Sequence, residues 1–319
     1  MKVAVAGGTG FIGWALCGEW AAAGHEVAVL TRRRDIAVPR GVRAVTWTAE
    51  PRFEDAATAG GGPVSRPPGD WWPEVDGADA VVNLNGEPIA GRRWNAGQKQ
   101  RILQSRVRAT RALVEAMAHA RRPPRLLING SAVGYYGPRG DEPATERDGS
   151  GSDFLSRVCV AWEGEARRAE DLGVRVVLLR TGLVLSGDGG ALQPMLLPFR
   201  LFIGGPLGSG RQWVPWIHRA DLVGLIRFLL ERDDAGGPYN GTAPNPVTNG
   251  DFCRTIARLL GRPCWLPVPA PALGLVLGEM ADALFLRGQR ALPERALQAG
   301  FAFRYRELEP ALRDILGGR

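Results

Sequence analysis

The chain has 319 residues, of which 45% are hydrophobic and 23% charged, a composition typical of a soluble globular protein with one large or two small domains. Its net charge of +7 comes from arginines scattered along the chain without a long basic block, so a nucleic-acid partner is not expected. The four cysteines and three histidines lack the spacing of a metal site or disulfide framework, and we find neither a signal peptide nor an apolar run of the roughly 18 residues that a membrane span needs. We therefore expect a cytoplasmic protein without a bound metal, a nucleic-acid partner or a membrane partner.

The N-terminal half alternates buried strands with amphipathic helices. Short apolar runs predict strands at residues 2–6, 26–32, 42–47, 79–85, 125–130 and 174–182. Helical spacing predicts helices at residues 11–24, 98–120 and 152–173, the last capped by Ser152 and ended by Gly173. Successive strand–helix–strand units require parallel strands joined by crossovers. The predicted fold class is therefore α/β, a doubly wound parallel sheet of the Rossmann type.

Two stretches depart from this alternation. The residues between Glu50 and Trp72 are rich in Gly and Pro and predict a mobile insertion. After Gly182 the chain changes to short helices separated by Gly- and Pro-rich loops, which favours a smaller region lying over the carboxyl edge of the sheet. We expect an NADP-binding Rossmann domain of residues 1–182 and 213–243, and a substrate-binding region of residues 183–212 and 244–319.

Three glycines follow the first predicted strand at a fixed spacing. Gly7, Gly10 and Gly13 stand in the segment AGGTGFIG, between a strand and a helix. In such a unit the first glycine permits a tight turn, the second lets the backbone approach a pyrophosphate, and the third allows the helix to pack near the strand. The helix N-terminus then offers free N–H groups to the phosphates. The spacing predicts a dinucleotide-binding turn; the alternative is a structural turn without a ligand.

The residues that end the second predicted strand indicate which dinucleotide is bound. Proteins that select NAD usually place an Asp or Glu there for the ribose 2′-hydroxyl. This chain has Thr31 and Arg32 instead, and an arginine suits a 2′-phosphate. We therefore expect NADP(H), with NADPH as the reduced form, rather than NAD(H). Arg33 fits the same role or a solvated loop, and Arg34 is assigned to the loop.

These motifs, with several others, resemble those of the extended short-chain dehydrogenase/reductases, and more closely those of an atypical branch of NAD(P)-dependent epimerase family proteins. The resemblance covers nearly the whole chain and includes AGGTGFIG (6–13), NLNGEPI (83–89), SAVGYYG (131–137), DFLSRVCVAWE (153–163), LLRTGLVLS (178–186) and WIHRADL (216–222). It implies cofactor contacts from Gly7, Thr9, Gly10, Phe11, Ile12, Gly13, Thr31, Arg32, Asn83, Leu84, Asn85, Gly86, Arg106, Ser131, Thr181, Gly182, Leu183 and Val184. It implies substrate contacts from Glu87, Arg93, Trp94, Arg211 and Trp216, and it would permit a homodimer.

The proton relay that this family uses is absent from the chain. In the family, hydride transfer to or from NAD(P) is accompanied by proton transfer at a Tyr, whose pKa is lowered by a Lys four residues later. The corresponding helix carries Phe154 and Val158 at this spacing, or Leu155 and Cys159 one residue further on. None of the four tyrosines of the chain has a lysine four residues later. Another group must therefore move the proton if the chain catalyses hydride transfer.

Polar residues near the fifth predicted strand are the candidates for that group. Ser131 matches the serine that polarises the substrate oxygen in the family, and Tyr135 and Tyr136 follow it at the carboxyl edge of the sheet. We take these three as catalytic candidates, although Tyr136 also fits a family Tyr-Gly that is usually structural. Cys159 and Glu163 share one face of the following helix, where a buried cysteine is usually core packing and a glutamate is either a base or a solvated residue.

Two further motifs contain residues that are expected to lie near a substrate. Arg106 stands where the family has an asparagine that points towards the site, and it could bind a carboxylate or phosphate or pair with an acidic neighbour. Relatives that bind nucleotide sugars have an arginine where this chain has Val214, and Arg211 is the nearest replacement. In WIHRADL, we interpret His218 as an orienting residue and Asp221 as the cap of the following helix.

The sequence leaves three functions open. The first is an NADP(H)-binding oxidoreductase or epimerase-like protein that acts on an unidentified small molecule. The second is an NADP(H)-binding sensor or partner-binding protein with little or no turnover. The third, a nucleotide-sugar epimerase, is disfavoured by the absent Tyr–Lys pair.

Overall fold

A computed structural model describes residues 1–48 and 70–317 of the chain. The mobile insertion predicted between Glu50 and Trp72 lies almost entirely outside the described residues. The strands are, in chain order, β1 (Lys2–Ala6), β2 (Glu26–Thr31), β3 (Val42–Thr46), β4 (Ala80–Asn83), β5 (Leu126–Ala132), β6 (Pro143–Ala144), β7 (Arg175–Thr181), β8 (Leu183–Leu185), β9 (Trp213–Val214), β10 (Trp216–His218), β11 (Gly237–Gly241), β12 (Val247–Thr248) and β13 (Arg290–Ala291). The α-helices are α1 (Phe11–Ala22), α2 (Ala96–His119), α3 (Phe154–Arg167), α4 (Leu192–Arg200), α5 (Arg219–Glu231), α6 (Asn249–Leu260), α7 (Ala270–Leu277), α8 (Glu279–Ala281), α9 (Glu294–Gln298) and α10 (Leu308–Gly317).

Seven of these strands form one sheet in the order β3-β2-β1-β4-β5-β7-β11. Every neighbouring pair in this sheet is parallel. The chain adds strands first on one side of β1 and then on the other, so the strand order reverses between β1 and β4. Sheets of this kind bind ligands beyond the carboxyl ends of the strands at such a switch point. The predicted doubly wound α/β fold is confirmed.

The strands of the sheet are buried on both faces, as expected for parallel strands covered by helices. In β1, Val3 and Val5 lie in one core together with residues of α1 and α5. Ala4 and Ala6, on the opposite face, lie in a second core together with residues of α2. All four residues are fully buried. Because helices cover both faces, the carboxyl edge is where this sheet presents its loops to a ligand.

The helix after β5 differs from its prediction at both ends. The expected helix covered residues 152–173 with Ser152 as its cap. α3 instead begins after Asp153, whose carboxylate accepts a backbone N–H of the first turn, so the predicted cap is wrong by one residue. Serine and aspartate are equally good caps, which is why the sequence did not separate them. A short 3₁₀ helix, Glu170–Leu172, follows α3, and Gly173 ends it in the left-handed conformation at φ 75°.

A third core lies under the C-terminal region. Its buried residues include Trp216, Phe252 and Leu312, contributed by β10, α6 and α10. The short strand pairs β8–β10 and β9–β12 connect this region to the segment that follows β7. The division of the chain into two domains stays a prediction.

The structure also bears on metal sites, membrane spans and disulfides, which the composition did not favour. Among the described residues, no group of three or more His, Cys, Asp or Glu side chains is arranged to hold a metal ion. None of the helices in that part of the chain is long and apolar enough to cross a lipid bilayer. All four cysteines are free thiols, and three of them are buried.

Candidate functional site

The glycine turn after β1 leaves no room for side chains. Gly7 has a left-handed φ of 82°, and a Cβ there would lie 2.8 Å from the carbonyl oxygen of Leu84. A Cβ on Gly13 would lie 2.3 Å from the carbonyl oxygen of Gly7 and 2.6 Å from the Cα of Gly8. The backbone N–H of Gly10 donates to the Gly7 carbonyl over 3.0 Å and closes the turn. The geometry agrees with a tight turn at Gly7 and close helix packing at Gly13.

The N-terminus of α1 offers backbone donors without helical partners. Gly10 precedes the helix in an extended conformation, no side chain caps it, and its first turn contains no acidic residue. The backbone N–H of Trp14 donates to the Gly10 carbonyl over 2.8 Å, so the amides of Phe11, Ile12 and Gly13 precede the first intrahelical bond. Free amides at the positive end of a helix bind phosphate groups. The turn therefore fits the pyrophosphate of a dinucleotide.

We expect Gly13→Ala to abolish dinucleotide binding and to lower the melting temperature. The new methyl group would overlap the Gly7 carbonyl oxygen at 2.3 Å, so α1 would have to move away from β1 and from the bound phosphates. Gly18→Ala in the same helix is the matched control, because its Cβ would meet the Pro39 Cβ at an ordinary 3.5 Å. Titration of NADPH fluorescence and thermal unfolding check both variants. Wild-type NADPH affinity in Gly13→Ala would contradict the assignment of this turn.

β2 is followed by three consecutive arginines. Arg32, Arg33 and Arg34 are exposed, and none of their guanidinium groups forms an ion pair or hydrogen bond with the described residues. Thr31 is buried, and its hydroxyl accepts the backbone N–H of Arg33 at 3.3 Å. Because β2 pairs in parallel with β1, these arginines leave the sheet at the same edge as the glycine turn. Unpaired guanidinium groups at this edge are suited to an additional phosphate.

A buried polar residue shapes the loop after β4. Asn83 is fully buried, and its amide donates to the Thr110 hydroxyl over 2.9 Å and to the Asn129 side-chain oxygen over 2.7 Å. The Asn83 oxygen accepts the backbone N–H of Asn85 at 3.2 Å. We therefore correct the assignment of Asn83 from a cofactor contact to a structural residue, because its side chain is fully buried and both of its N–H groups donate inside the protein. The contacts expected from residues 84–86 stay predictions.

A buried ionic network lies behind the carboxyl end of β5. Arg180 of β7 donates two hydrogen bonds of 2.9 Å to Glu163 of α3, and these side chains are only 3% and 4% exposed. The Ser131 hydroxyl donates to the same carboxylate over 2.7 Å. The remaining Arg180 nitrogen donates to the Tyr136 hydroxyl over 3.1 Å, and that hydroxyl donates to Asn240 over 2.7 Å. Pairing of this kind is what buried polar and charged groups require.

The two adjacent tyrosines have different environments. Burial raises the pKa of Tyr136 to about 12, and its hydroxyl is already held inside the network. Tyr135 is only partly buried, and its hydroxyl has no hydrogen bond to the described residues. The Tyr135 ring lies against Arg180, whose Cζ is 3.4 Å from the ring centroid. We therefore assign Tyr136 to the structural network and keep Tyr135 as the candidate for proton transfer.

The α3 positions that correspond to the family's Tyr and Lys do not transfer protons. Phe154 packs edge-to-face against Trp94 with 5.1 Å between the ring centroids, and Val158 is buried in the same cluster. One residue further on, Cys159 is buried with its thiol 3.7 Å from the carbonyl oxygen of Ala132. Burial raises the pKa of Cys159 to about 11, so this group is a neutral thiol near pH 7.

The residues expected to contact a substrate do not all lie together. Arg211 lines a cavity of about 380 Å³ between the loop after β5 and the C-terminal region. Trp94 lines a different cavity of about 90 Å³, and Arg93 is exposed on the surface. Trp216 is fully buried, and its indole N–H donates to the carbonyl oxygen of Asn245 over 3.1 Å. We correct the assignment of Trp216 to the core, because a side chain without accessible surface does not contact a substrate.

His218 and Asp221 of the WIHRADL segment both accept backbone N–H groups. His218 caps α5, and its Nδ1 accepts the backbone N–H of Ala220 at 3.1 Å. Burial lowers the pKa of His218, which keeps this nitrogen available as an acceptor. Asp221 lies inside α5 and accepts the backbone N–H groups of Arg304 and Tyr305 at 2.8 and 2.9 Å. The predicted cap at Asp221 is therefore wrong, and its carboxylate fixes the segment before α10 instead.

Comparison with known proteins decides the family. The model of the NAD dependent epimerase/dehydratase family matches residues 3–241. The chain belongs to this family. A second model, a domain of unknown function (DUF1731), matches residues 268–315.

Several members of the epimerase family are similar over nearly the whole of this chain. Epimerase family protein YfhF of Bacillus subtilis (strain 168) is 40% identical over 320 residues, which cover 100% of this chain and 99% of the relative. The chloroplastic SDR39U1 homolog of Arabidopsis thaliana is 43% identical, with 99% and 87% covered. Human epimerase family protein SDR39U1 (isoform 2), solved with NADPH, superposes with a TM-score of 0.85 at 37% identity and covers 100% of both chains. These matches confirm the resemblance and make this chain an NAD(P)-binding epimerase-family protein whose substrate is unidentified.

The sequence interpretation of this epimerase-family chain missed Arg180. A signal was present, because one basic residue interrupts the otherwise apolar core of the strand RVVLLRT. A charge buried in a central strand requires a partner of opposite charge. Glu163, which we had considered as a base or a solvated residue, is that partner.

Proposed function

We propose that the chain is an NADP(H)-dependent oxidoreductase that interconverts a carbonyl and an alcohol group of a small molecule, with Tyr135 as the proton-transferring residue. Three features support NADP(H) as the cofactor. The glycine turn fits a pyrophosphate, Arg32 follows β2 where a 2′-phosphate is read, and the human relative was solved with NADPH. The family as a whole is described as NAD dependent. The choice of NADP(H) over NAD(H) therefore depends on the arginines of this chain.

The environment of Tyr135 is the observation that carries the proposal. When bound, NADPH would supply a hydride, a proton together with two electrons, to a substrate carbonyl carbon. The π electron pair of the carbonyl then moves onto its oxygen, which remains bonded to the carbon and needs one proton to become an alcohol. A phenol whose hydroxyl is unengaged can donate that proton, and it can take it back in the reverse direction. The Tyr135 hydroxyl meets this condition among the described residues, whereas Tyr136 and Ser131 donate their protons inside the protein.

The ionic network supports Tyr135 by fixing Arg180. Two hydrogen bonds to Glu163 hold the guanidinium group in one orientation. The Arg180 Cζ lies over the Tyr135 ring, 3.4 Å from its centroid, a contact favoured between a cation and an aromatic face. Ser131 is therefore a positioning residue in this proposal, because it acts on Glu163 and not on the substrate oxygen.

We expect Tyr135→Phe to reduce carbonyl-dependent NADPH oxidation by about 100-fold or more, the range associated with loss of a general acid. NADPH affinity and stability are expected to stay near wild-type values, because the removed hydroxyl has no partner among the described residues. The measurement is NADPH oxidation against a panel of aldehydes, ketones and oxo acids, with NADPH affinity determined in parallel.

Tyr136→Phe is the matched control for this experiment. It removes an identical hydroxyl from the neighbouring position, but there the hydroxyl bonds to Arg180 and Asn240. We expect it to lower stability by about 1–3 kcal/mol while turnover per folded molecule is kept. Unchanged turnover in Tyr135→Phe would overturn the assignment of the proton donor.

A second candidate function is an NADP(H)-binding protein without turnover. The observation in its favour is the apolar character of α3 at the positions where the family carries its Tyr and Lys, with Val158 buried in a cluster and Phe154 packed against that cluster. Tight NADPH binding without oxidation by any carbonyl of the panel would support this function and contradict the first. The expected homodimer stays a prediction under either function.

A further inference from the structure

We propose that Arg106 binds a carboxylate group of the substrate, so that the substrate is an oxo acid or the corresponding hydroxy acid. This inference rests on the proposed oxidoreductase function and narrows its substrate class. It also changes the role expected for Arg106, from a cofactor contact to a substrate contact. Three features of Arg106 support this inference: the residues that its guanidinium group packs against, its unused hydrogen-bond donors and its position along the sheet.

Arg106 projects from α2 against the backbone of the loop after β4. A Cβ on Gly86 would lie 2.9 Å from its Cζ, 3.1 Å from Nη2 and 3.2 Å from Nε. The flat guanidinium group therefore packs where only a glycine leaves room. The Trp162 ring of α3 lies on another side, with its centroid 5.1 Å from Cζ. Contacts from a loop and from a second helix hold the group in a defined orientation, as recognition of a planar anion requires.

Arg106 uses only part of its hydrogen-bonding capacity. Nη1 donates to the carbonyl oxygens of Glu87 and Ile102, each over 3.0 Å. Within residues 1–48 and 70–317, neither Nε nor Nη2 has an acceptor, and no carboxylate forms an ion pair with this side chain. Nε and Nη2 form the edge of a guanidinium group that binds a carboxylate through two parallel hydrogen bonds. That edge is therefore available to a ligand.

The positive charge of Arg106 is poorly compensated inside the protein. Burial lowers the pKa of Arg106, and this effect outweighs the opposing influence of the Glu87 carboxylate. Arg180 provides the contrast, because the carboxylate of Glu163 compensates its charge directly through two hydrogen bonds. Removing a cation from water without a paired anion costs free energy. A ligand that brings a negative charge to Arg106 would recover that cost.

The place of Arg106 along the sheet favours the substrate as the source of this charge. The glycine turn and Arg32 assign the pyrophosphate and the 2′-phosphate to β1 and β2. The other end of an extended dinucleotide then lies over β4 and β5. Arg106 meets the loop after β4 at Gly86 and lies against Trp162, whose ring passes so close to Gly130 of β5 that a Cβ there would lie 3.0 Å from it. A dinucleotide carries no phosphate at that end, so we assign the anion to the substrate.

Binding to the protein loaded with NADP⁺, which has no hydride to transfer to an oxo acid, tests this inference separately from turnover. The probes are 2-oxo acids of three to six carbons, each paired with its uncharged methyl ester, and their dissociation constants are measured through tryptophan fluorescence. We expect the wild-type protein to bind the best acid at least 10-fold more tightly than its ester. Arg106→Gln should lose this preference, and Arg106→Lys, which keeps the charge without the bidentate geometry, should reduce it. Both variants should bind NADPH within about threefold of wild type.

Arg101→Gln is the matched control, since it removes a positive charge from an exposed position of the same helix and should keep the preference for acids. Arg106→Lys keeps the charge and covers the case in which Arg106→Gln fails to fold. Equal affinity for acids and esters, no acid binding below about 10 mM, or an unchanged preference in Arg106→Lys would overturn the inference. A large loss of NADPH affinity in Arg106→Lys would do the same, by making Arg106 a cofactor ligand. Failure of the wild-type protein to bind NADPH would instead contradict the proposed function.

Discussion

Replacing Arg32 by aspartate is expected to weaken NADPH binding about 100-fold, or about 2.8 kcal/mol, and to leave NADH binding within about threefold of its wild-type value. Arg32 follows β2 at the edge of the sheet that carries the glycine turn, and its guanidinium group has no partner among the described residues. The substitution removes a charge-assisted hydrogen bond to the 2′-phosphate and adds repulsion from a carboxylate. Only NADPH carries that phosphate, so the effect should separate the two cofactors. Titrations of both dinucleotides, followed by fluorescence, measure it.

Arg34→Asp is the control for this prediction. Arg34 is also exposed and without a partner in the described part of the chain, and its substitution changes the net charge by the same amount. We expect it to weaken NADPH binding by less than about fivefold, because exposed charges that do not contact the phosphate are screened by salt. Equal losses of NADPH and NADH affinity in Arg32→Asp would contradict the 2′-phosphate assignment. A larger effect from Arg34→Asp would move that assignment to Arg34.

Glu163→Gln is expected to lower the free energy of unfolding by about 3–5 kcal/mol, the range for a buried ion pair that loses one partner. The substitution leaves Arg180 as a buried cation next to a neutral amide, and both side chains of the pair are nearly inaccessible to solvent. It also weakens the acceptor of the Ser131 hydroxyl. Urea denaturation measures the change, and the Tyr135 contact with Arg180 makes a parallel loss of turnover an expected result.

Glu19→Gln is the matched control, because it breaks an exposed ion pair of the same type. Arg227 donates to Glu19 over 2.7 Å, but these side chains are 49% and 42% exposed, and such pairs contribute less than about 1 kcal/mol. A double variant, Glu163→Met with Arg180→Met, should be less destabilised than Glu163→Gln, since it leaves no unpaired charge. A loss below 1 kcal/mol in Glu163→Gln would show that Arg180 finds another partner, and it would remove the basis for the fixed position of Tyr135.

The sequence predicted the sheet and the dinucleotide turn because these depend on residues that are close together in the chain. Alternation of apolar runs with amphipathic runs indicates buried parallel strands and their crossover helices. The spacing of Gly7, Gly10 and Gly13 reflects the lack of space for side chains in a turn of seven residues. In the structure, a Cβ on Gly7 or on Gly13 would overlap neighbouring backbone atoms. The arginines after β2 were predicted in the same way, from their position directly after a strand.

The candidate catalytic residues were predicted less well, because polar residue types alone do not reveal which groups neutralise one another. Ser131, Tyr135 and Tyr136 were all catalytic candidates in the sequence, since all three stand near the end of one strand, although Tyr136 also fitted a structural role. Their different roles depend on Glu163 and Asn240, residues that are distant in the chain and adjacent in space.

By itself, the sequence determined a doubly wound dinucleotide-binding protein without the family's Tyr–Lys pair. Those features are local, and they follow from periodicity, glycine spacing and the identity of single positions. Only the tertiary structure decided that Trp216 belongs to the core, that Arg180 is paired with Glu163, and that Arg106 forms no ion pair with a described carboxylate. The physical reason is that the cost of burying a charge or a polar group depends on partners brought together by the packing of α2, α3, β5 and β7, which no short stretch of the chain specifies.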